Sequence, residues 1–108
     1  MLKHEQLTAV LPYCVNHVDV PGLGDKIQGK VRDIYQRGNQ RILITTDRVS
    51  AFDHILGLIP YKGQVLNQLS RWWFERLADL VPHHLVDPAT VGVPPVPAEL
   101  ADRASVVR

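Results

Sequence analysis

Five of the eight prolines fall between Pro82 and Pro97. Proline lacks the amide that a helix interior or a central strand must donate, so no regular element crosses that stretch. Residues 82–99 are therefore expected as an extended, irregular connection. Directly before it lies the clearest helical pattern in the chain, from about Gln64 to Leu80. Leu66, Leu69, Trp73, Leu77 and Leu80 recur at three- and four-residue spacing, with Val65 and Trp72 widening the stripe, which predicts an amphipathic helix with that stripe buried. Arg71 and Glu75, four apart, are expected to pair on its outer side. Adjacent tryptophans on such a helix read as core and core rim more simply than as a base-stacking surface. After the prolines, Ala104 to Arg108 begin a strand and stop inside it, so the chain reads as truncated.

Nearer the N-terminus, residues 5–18 suggest a short helix broken by Pro12, and Pro21-Gly22-Leu23-Gly24 a turn. From Ile27 to Tyr35 the residues alternate. Gln28, Lys30 and Arg32 lie on one face and Ile27, Gly29, Val31 and Tyr35 on the other, as in a half-buried strand. Asp33 and Ile34 break the alternation, predicting a twist or bulge. Arg37-Gly38-Asn39-Gln40 supplies residues that accept the positive φ of a tight hairpin turn. Residues 42–46 form a short, β-branched, nearly all-apolar run that reads as an interior strand. Residues 27–46 thus predict a β-hairpin, and 57–63 a loop around Pro60. The fold class expected is α+β: a small antiparallel sheet with a packed amphipathic helix, in one unit spanning 1–108.

Charge excludes some functions. Twelve Lys and Arg against eleven Asp and Glu leave no basic excess of the kind a dedicated nucleic-acid binder carries. No apolar run approaches the roughly 18 residues that cross a bilayer, so no membrane partner is expected. Met1 to Gln6 lead into no apolar segment of a secretory signal. The single cysteine, Cys14, fits a reducing cytoplasm and reads as a small buried apolar residue. The five histidines show no metal-ligand spacing, and His83-His84 sit where a helix end favours partial positive charge.

Two segments carry chemistry. Gly24 to Lys30 matches the spacing GxxxxGK, but a phosphate-binding loop of that type needs Ser or Thr next and a helix after it. Val31 follows instead, with strand period, so the match is a decoy. A second kind of grip lays a glycine-containing β-hairpin over phosphates and uses cations from strands. Gly29 would let the backbone approach closely, and Lys30 and Arg32 would supply charge. Spacing alone favours a solvated strand face with a routine lysine and arginine. The segment Asp47-Arg48-Val49-Ser50-Ala51-Phe52-Asp53-His54 follows an apolar strand directly. Its carboxylates, arginine and serine suit a polar substrate or a metal–phosphate, while an Asp-initiated turn with Phe52 plugged into the core is the alternative.

Together, GKVRDIY (29–35), ITTDRVSAFD (44–53), IPYKGQVLNQLSRWWFE (59–75), HLVD (84–87) and RASVVR (103–108) closely resemble the SAICAR synthetase family of purine biosynthesis. They stand in the family's order and spacing from about residue 22 onward, all matching its N-terminal part. The resemblance implies the kinase-N-lobe-like part of that fold, and an ATP-dependent ligase that joins aspartate to the carboxylate of CAIR, a carboxyaminoimidazole ribonucleotide, giving SAICAR, ADP and phosphate through an acyl phosphate. It implies ATP and Mg²⁺ as cofactors, with the metal's ligands outside this chain, and small-molecule substrates as partners. Carried over by position, Gly29, Lys30 and Arg32 would bind ATP. Arg48, Ser50 and Asp53 would contact the substrate, with Lys62 and Asn67 near the same cleft.

The family continues into a larger region that this chain lacks, so the resemblance implies that the 108 residues alone are inactive. A sheet without its neighbours would expose an edge for self-association. A non-catalytic nucleotide-binding or subunit-interaction fragment is the alternative.

Overall fold

The computed structural model describes residues 3–108. In chain order the elements are helix α1 (His4–Val10), strands β1 (Asp25–Gln28), β2 (Arg32–Arg37), β3 (Gln40–Thr45), β4 (Arg48–Ala51) and β5 (His54–Leu58), helix α2 (Lys62–Arg76) and strand β6 (Ala104–Val107). A 3₁₀ turn, Leu11–Tyr13, closes the N-terminal helix at Pro12, and another, Ala98–Arg103, leads into β6. Four strands form an antiparallel sheet in the order β1-β2-β3-β6, and β4 and β5 form a separate hairpin.

The β2–β3 turn forms where Gly38 and Asn39 predict it, with Arg37 opposite Gln40 and Gly38 at φ +60°. The strand expected as continuous over 27–35 is not. It stops at Gln28, turns through Gly29-Lys30-Val31 and restarts at Arg32. Nor is there a bulge at Asp33 and Ile34, which pair in regular register with Ile44 and Leu43. Asp33 continues the inward face with Tyr35, because an internal arginine neutralises its charge.

That inward face carries Asp33, Tyr35, Ile42, Ile44, Ala104 and Val106, all buried. Irregular chain covers it, with Val18, Leu23 and Val93 in the core cluster and Val15, Val20, Val91 and Val96 packed at its edge. Tyr35 Oη accepts from the Val20 amide at 2.8 Å, tying the 18–20 segment to the sheet.

Helix α2 lies on the opposite face. It buries only Gly63 and Asn67, and with Leu66, Ser70 and Phe74 it bounds a cavity of about 280 Å³ against Leu43, Thr45, Ser105 and Val107. The apolar stripe expected to be buried is not: Leu66, Leu69, Trp72 and Trp73 are about half exposed and Leu80 is 78% exposed. The physical reason is the pair of contacts that seats the helix. A Cβ on Gly63 would overlap the Thr45 carbonyl and the Arg103 guanidinium. Asn67 Nδ2 donates to the carbonyls of Asp102 at 3.0 Å and Ala104 at 3.3 Å. These seat the Gly63, Asn67 and Ser70 side of α2 against the sheet, with Leu66 and Phe74 at its margin, and leave Leu69, Trp72 and Trp73 about half exposed. Arg71 and Glu75 are not among the ion pairs of the described residues; Arg76 instead lies over Trp72, 4.9 Å from the ring centre.

The proline-rich connection is irregular, yet it closes one sheet edge. Val86 donates to the Val106 carbonyl at 3.0 Å and Arg108 to that of His84 at 2.9 Å. Among the described residues, no helix is long and apolar enough to cross a membrane.

Candidate functional site

The turn that joins β1 to β2 is built by what lies beneath it. All four carbonyls from Gly29 to Arg32 are engaged. Arg48 Nη2 donates to Gly29 O at 3.0 Å and Arg48 Nε to Lys30 O at 3.0 Å. The amide and hydroxyl of Thr46 both donate to Val31 O, at 3.0 and 2.7 Å, and the Gly29 amide donates to Arg32 O at 2.7 Å. Among the described residues the amides of Lys30 and Val31 have no acceptor. A Cβ at Gly29 would sit 3.0 Å from Arg32 O, tighter than an ordinary contact, so a side chain here would require the Arg32 carbonyl to give by a few tenths of an ångström. Lys30 is exposed and Arg32 lies open on the α2 side of the sheet.

Two buried arginine–aspartate pairs support this turn. Arg48 Nη2 meets Asp33 Oδ1 at 2.9 Å, both side chains fully buried. Arg103 grips Asp47 with two bonds, Nη1–Oδ1 at 2.6 Å and Nη2–Oδ2 at 3.1 Å. Each aspartate also accepts backbone amides. Asp33 takes Val18 at 2.7 Å, and Asp47 takes Val15 and Gly63, each at 2.9 Å. For Asp47, burial pushes the carboxyl's pKa upward. The Arg103 bonds and charge and the two amides outweigh it, holding the group below the ordinary carboxylate value. Beside it, burial and then the negative charge of Asp47 push the Cys14 thiol up, against a smaller opposing pull from Arg103. Cys14 itself is half-buried.

The DRVSAFD segment, expected as a loop, is a β-hairpin. Strands β4 and β5 pair from Arg48 opposite Leu58 to Ala51 opposite His54, with a register shift between Val49 and Ser50. Its two-residue turn places Phe52 at φ 50° and Asp53 at φ 64°, a left-handed conformation costly for residues with side chains. Phe52 is not plugged into the core; it is 97% exposed at the tip. Strain of this kind concentrates at functional sites. Asp53 reaches across to Lys30, and the two form an exposed ion pair.

The structure brings Lys30 and Asp53 together in an exposed ion pair, with Gly29 and Arg32 in the same 29–32 turn and Ser50 half-buried on β4. Lys62 opens α2 and is half-buried. Two other residues are placed differently from the sequence expectation. Arg48 is fully buried with its guanidinium bonded inward, and Asn67 spends its amide on the Asp102 and Ala104 carbonyls while its Oδ1 accepts from Ser105 Oγ at 2.7 Å. Asp47 is a sequence candidate among the carboxylates of its segment, but Asp33, Thr46 and Arg103 carry no candidate role in the sequence patterns. Asp33, an acid on an apolar strand face, was the available signal for the first pair; no spacing could link Asp47 to Arg103.

Comparisons with known proteins agree with this architecture. A sequence model of the SAICAR synthetase family matches residues 25–108. The chloroplastic phosphoribosylaminoimidazole-succinocarboxamide synthase of Vigna aconitifolia is 52% identical over 90 residues, 83% of this chain and 25% of that protein. The same-named protein of Legionella pneumophila (strain Lens) is 53% identical over 76 residues, 70% of this chain and 24% of that one. Among solved structures, a SAICAR synthase from Saccharomyces cerevisiae complexed with SAICAR superposes with a TM-score of 0.70 at 34% identity, over 86% of this chain and 36% of the other. The chain spans about a quarter of the length of the curated relatives it matches.

Proposed function

The chain belongs to the SAICAR synthetase family, and we propose that it supplies the phosphate-holding edge of an ATP-dependent ligase that joins aspartate to the carboxylate of CAIR, giving SAICAR, ADP and phosphate. The observation that carries this reading is the 29–32 turn. Its carbonyls are bonded inward, the amides of Lys30 and Val31 have no acceptor among the described residues, and the Lys30 ammonium is held by the exposed carboxylate of Asp53, which an anion can displace. Successive free amides beside a cation suit phosphate oxygens.

The chemistry requires such a site. A carboxylate repels an amine and has no competent leaving group. ATP, when bound, supplies the activation, as an acyl phosphate whose phosphate departs after the amine attacks. In this reading Lys30 places a point charge on phosphate oxygens, and Arg32 shares that charge or orients the substrate. Ser50 and Asp53 offer polar contacts to the substrate from the neighbouring hairpin, with Lys62 at the start of α2. The Lys30–Asp53 pair keeps the turn and the hairpin tip in register until a phosphate competes for the ammonium. Mg²⁺ is expected alongside ATP, but among the described residues no group of three or more His, Cys, Asp and Glu side chains could hold a metal ion.

In a polypeptide of the relatives' length, Lys30→Ala is expected to raise the KM for ATP by about tenfold or more, the loss of one hydrogen bond to a charged group. Unchanged ATP kinetics would remove Lys30 from the site. A second reading, an interaction fragment without catalysis of its own, is favoured by the half-exposed apolar side of α2.

A further inference from the structure

We propose that Arg48 is a positioning residue for the phosphate-holding turn, setting its shape from below without touching the ligand. This rests on the nucleotide reading above. Sequence resemblance suggested Arg48 as a substrate contact, yet its side chain is 0% exposed. Every nitrogen of its guanidinium is committed. Nε bonds Lys30 O at 3.0 Å. Nη2 bonds Gly29 O at 3.0 Å and Asp33 Oδ1 at 2.9 Å, with Arg32 O at 3.4 Å. Nη1 bonds the Asn16 carbonyl and lies 3.4 Å from His17 Nδ1.

Three of the four turn carbonyls thus converge on one rigid, planar fork. A carbonyl drawn inward leaves the amides of the turn on its other side, which is the polarity an anion requires. The fork also explains why the charge is buried here. Asp33 neutralises it, and the remaining donors are satisfied by carbonyls that would otherwise be buried without partners. Lysine would keep the charge for Asp33, but a single ammonium cannot span the acceptors that Nε and the two Nη groups reach separately. The residue's role is therefore geometric, and the charge-conserving substitution is the informative one.

The test uses a polypeptide of the relatives' length that contains these residues, with amide hydrogen exchange and ATP titration followed by NMR. Gly29 and Thr46 report on the turn, since their amides bond Arg32 O and Val31 O. Val86, which bonds Val106 O, reports on the distant sheet edge. In Arg48→Lys, exchange at Gly29 and Thr46 should accelerate at least about tenfold while Val86 is unchanged, and the dissociation constant for ATP should rise about tenfold. Full rescue by lysine, or equal acceleration at all three amides, would overturn the proposal, because either is what a merely structural charge would give. Should Arg48→Lys not fold, the Asp33→Asn/Arg48→Met double variant removes both buried charges and is read the same way. Lys30→Ala should weaken ATP without altering exchange at Gly29 and Thr46. If the native chain shows no ATP-dependent shifts, the nucleotide reading fails, and exchange at those two amides still decides the role of Arg48.

Discussion

The Asp47 side chain ties three separate segments of the structure together. Its two oxygens hold Arg103, the start of α2 through Gly63 and the N-terminal segment through Val15. Because its folded pKa lies below the unfolded value of roughly 3.9, it contributes stability at every pH above that value and loses it as pH falls through the folded value. Denaturant titrations across pH should show stability level from neutrality to about pH 5 and falling below about pH 4. Asp47→Ala should cost about 3–5 kcal/mol at neutral pH, since it leaves Arg103 buried and unpaired, and should flatten that acid limb. An acid limb unchanged in the variant would assign the effect to another carboxylate. At this scale the sequence was partly legible. Gly29, Lys30 and Arg32 stood out because a motif placed them side by side. The Asp33–Arg48 and Asp47–Arg103 pairs did not, because they join residues 15 and 56 positions apart.

The secondary-structure elements divide in the same way. The β2–β3 hairpin and the β6 strand were readable because turn residues and β-branched runs act locally. The β4–β5 hairpin was not, since its turn is Phe52-Asp53 where Gly or Asn would announce it. Helix α2 was legible as a helix and misleading as to its buried side: periodicity reports which side is apolar, while Gly63 and Asn67 decide which side docks. Measured unfolding free energies should separate the two. Ile44→Ala, in the core, should cost about 2–5 kcal/mol, whereas Leu69→Gln on the open side of α2 should change stability by no more than about 0.5 kcal/mol. A large cost at Leu69 would show that the stripe is packed after all.

Taken as one molecule, the chain exposes 7498 Å², against about 6,100 Å² for a self-contained domain of its 12.2 kDa mass. Its radius of gyration is 14.8 Å, where a chain of this length usually has about 13 Å. The excess, about 1,400 Å², is larger than the roughly 800 Å² that one partner contributes to a standard protein–protein interface. Much of it is apolar: Ile55, Leu56 and Ile59 beside β5, and Leu66, Leu69, Trp72 and Trp73 on α2, are all exposed. Sheet edges contribute less, because residues 84–86 cover β6 and β1 opens on the charged Asp25 and Lys26. Sedimentation velocity over a concentration series should show association that Leu69→Lys suppresses and Ile27→Lys, on the β1 edge, leaves unchanged. The reverse outcome would move the contact to the sheet edge.

The Arg103–Asp47 pair also fixes an order of events during synthesis. A ribosome delivers Asp47, its strand and its flanking amides long before it delivers Arg103, 56 residues later. Until then the nascent chain holds an acid whose native place is sealed from water and whose counter-ion has not yet been made. The pocket around Asp47 is therefore complete only once the chain has grown past the proline-rich stretch. Arrival of Arg103 and the β6 residues completes the pair, the β3–β6 ladder and the seat of α2 together. A chain stalled before Arg103 would present its open sheet to chaperones and proteases.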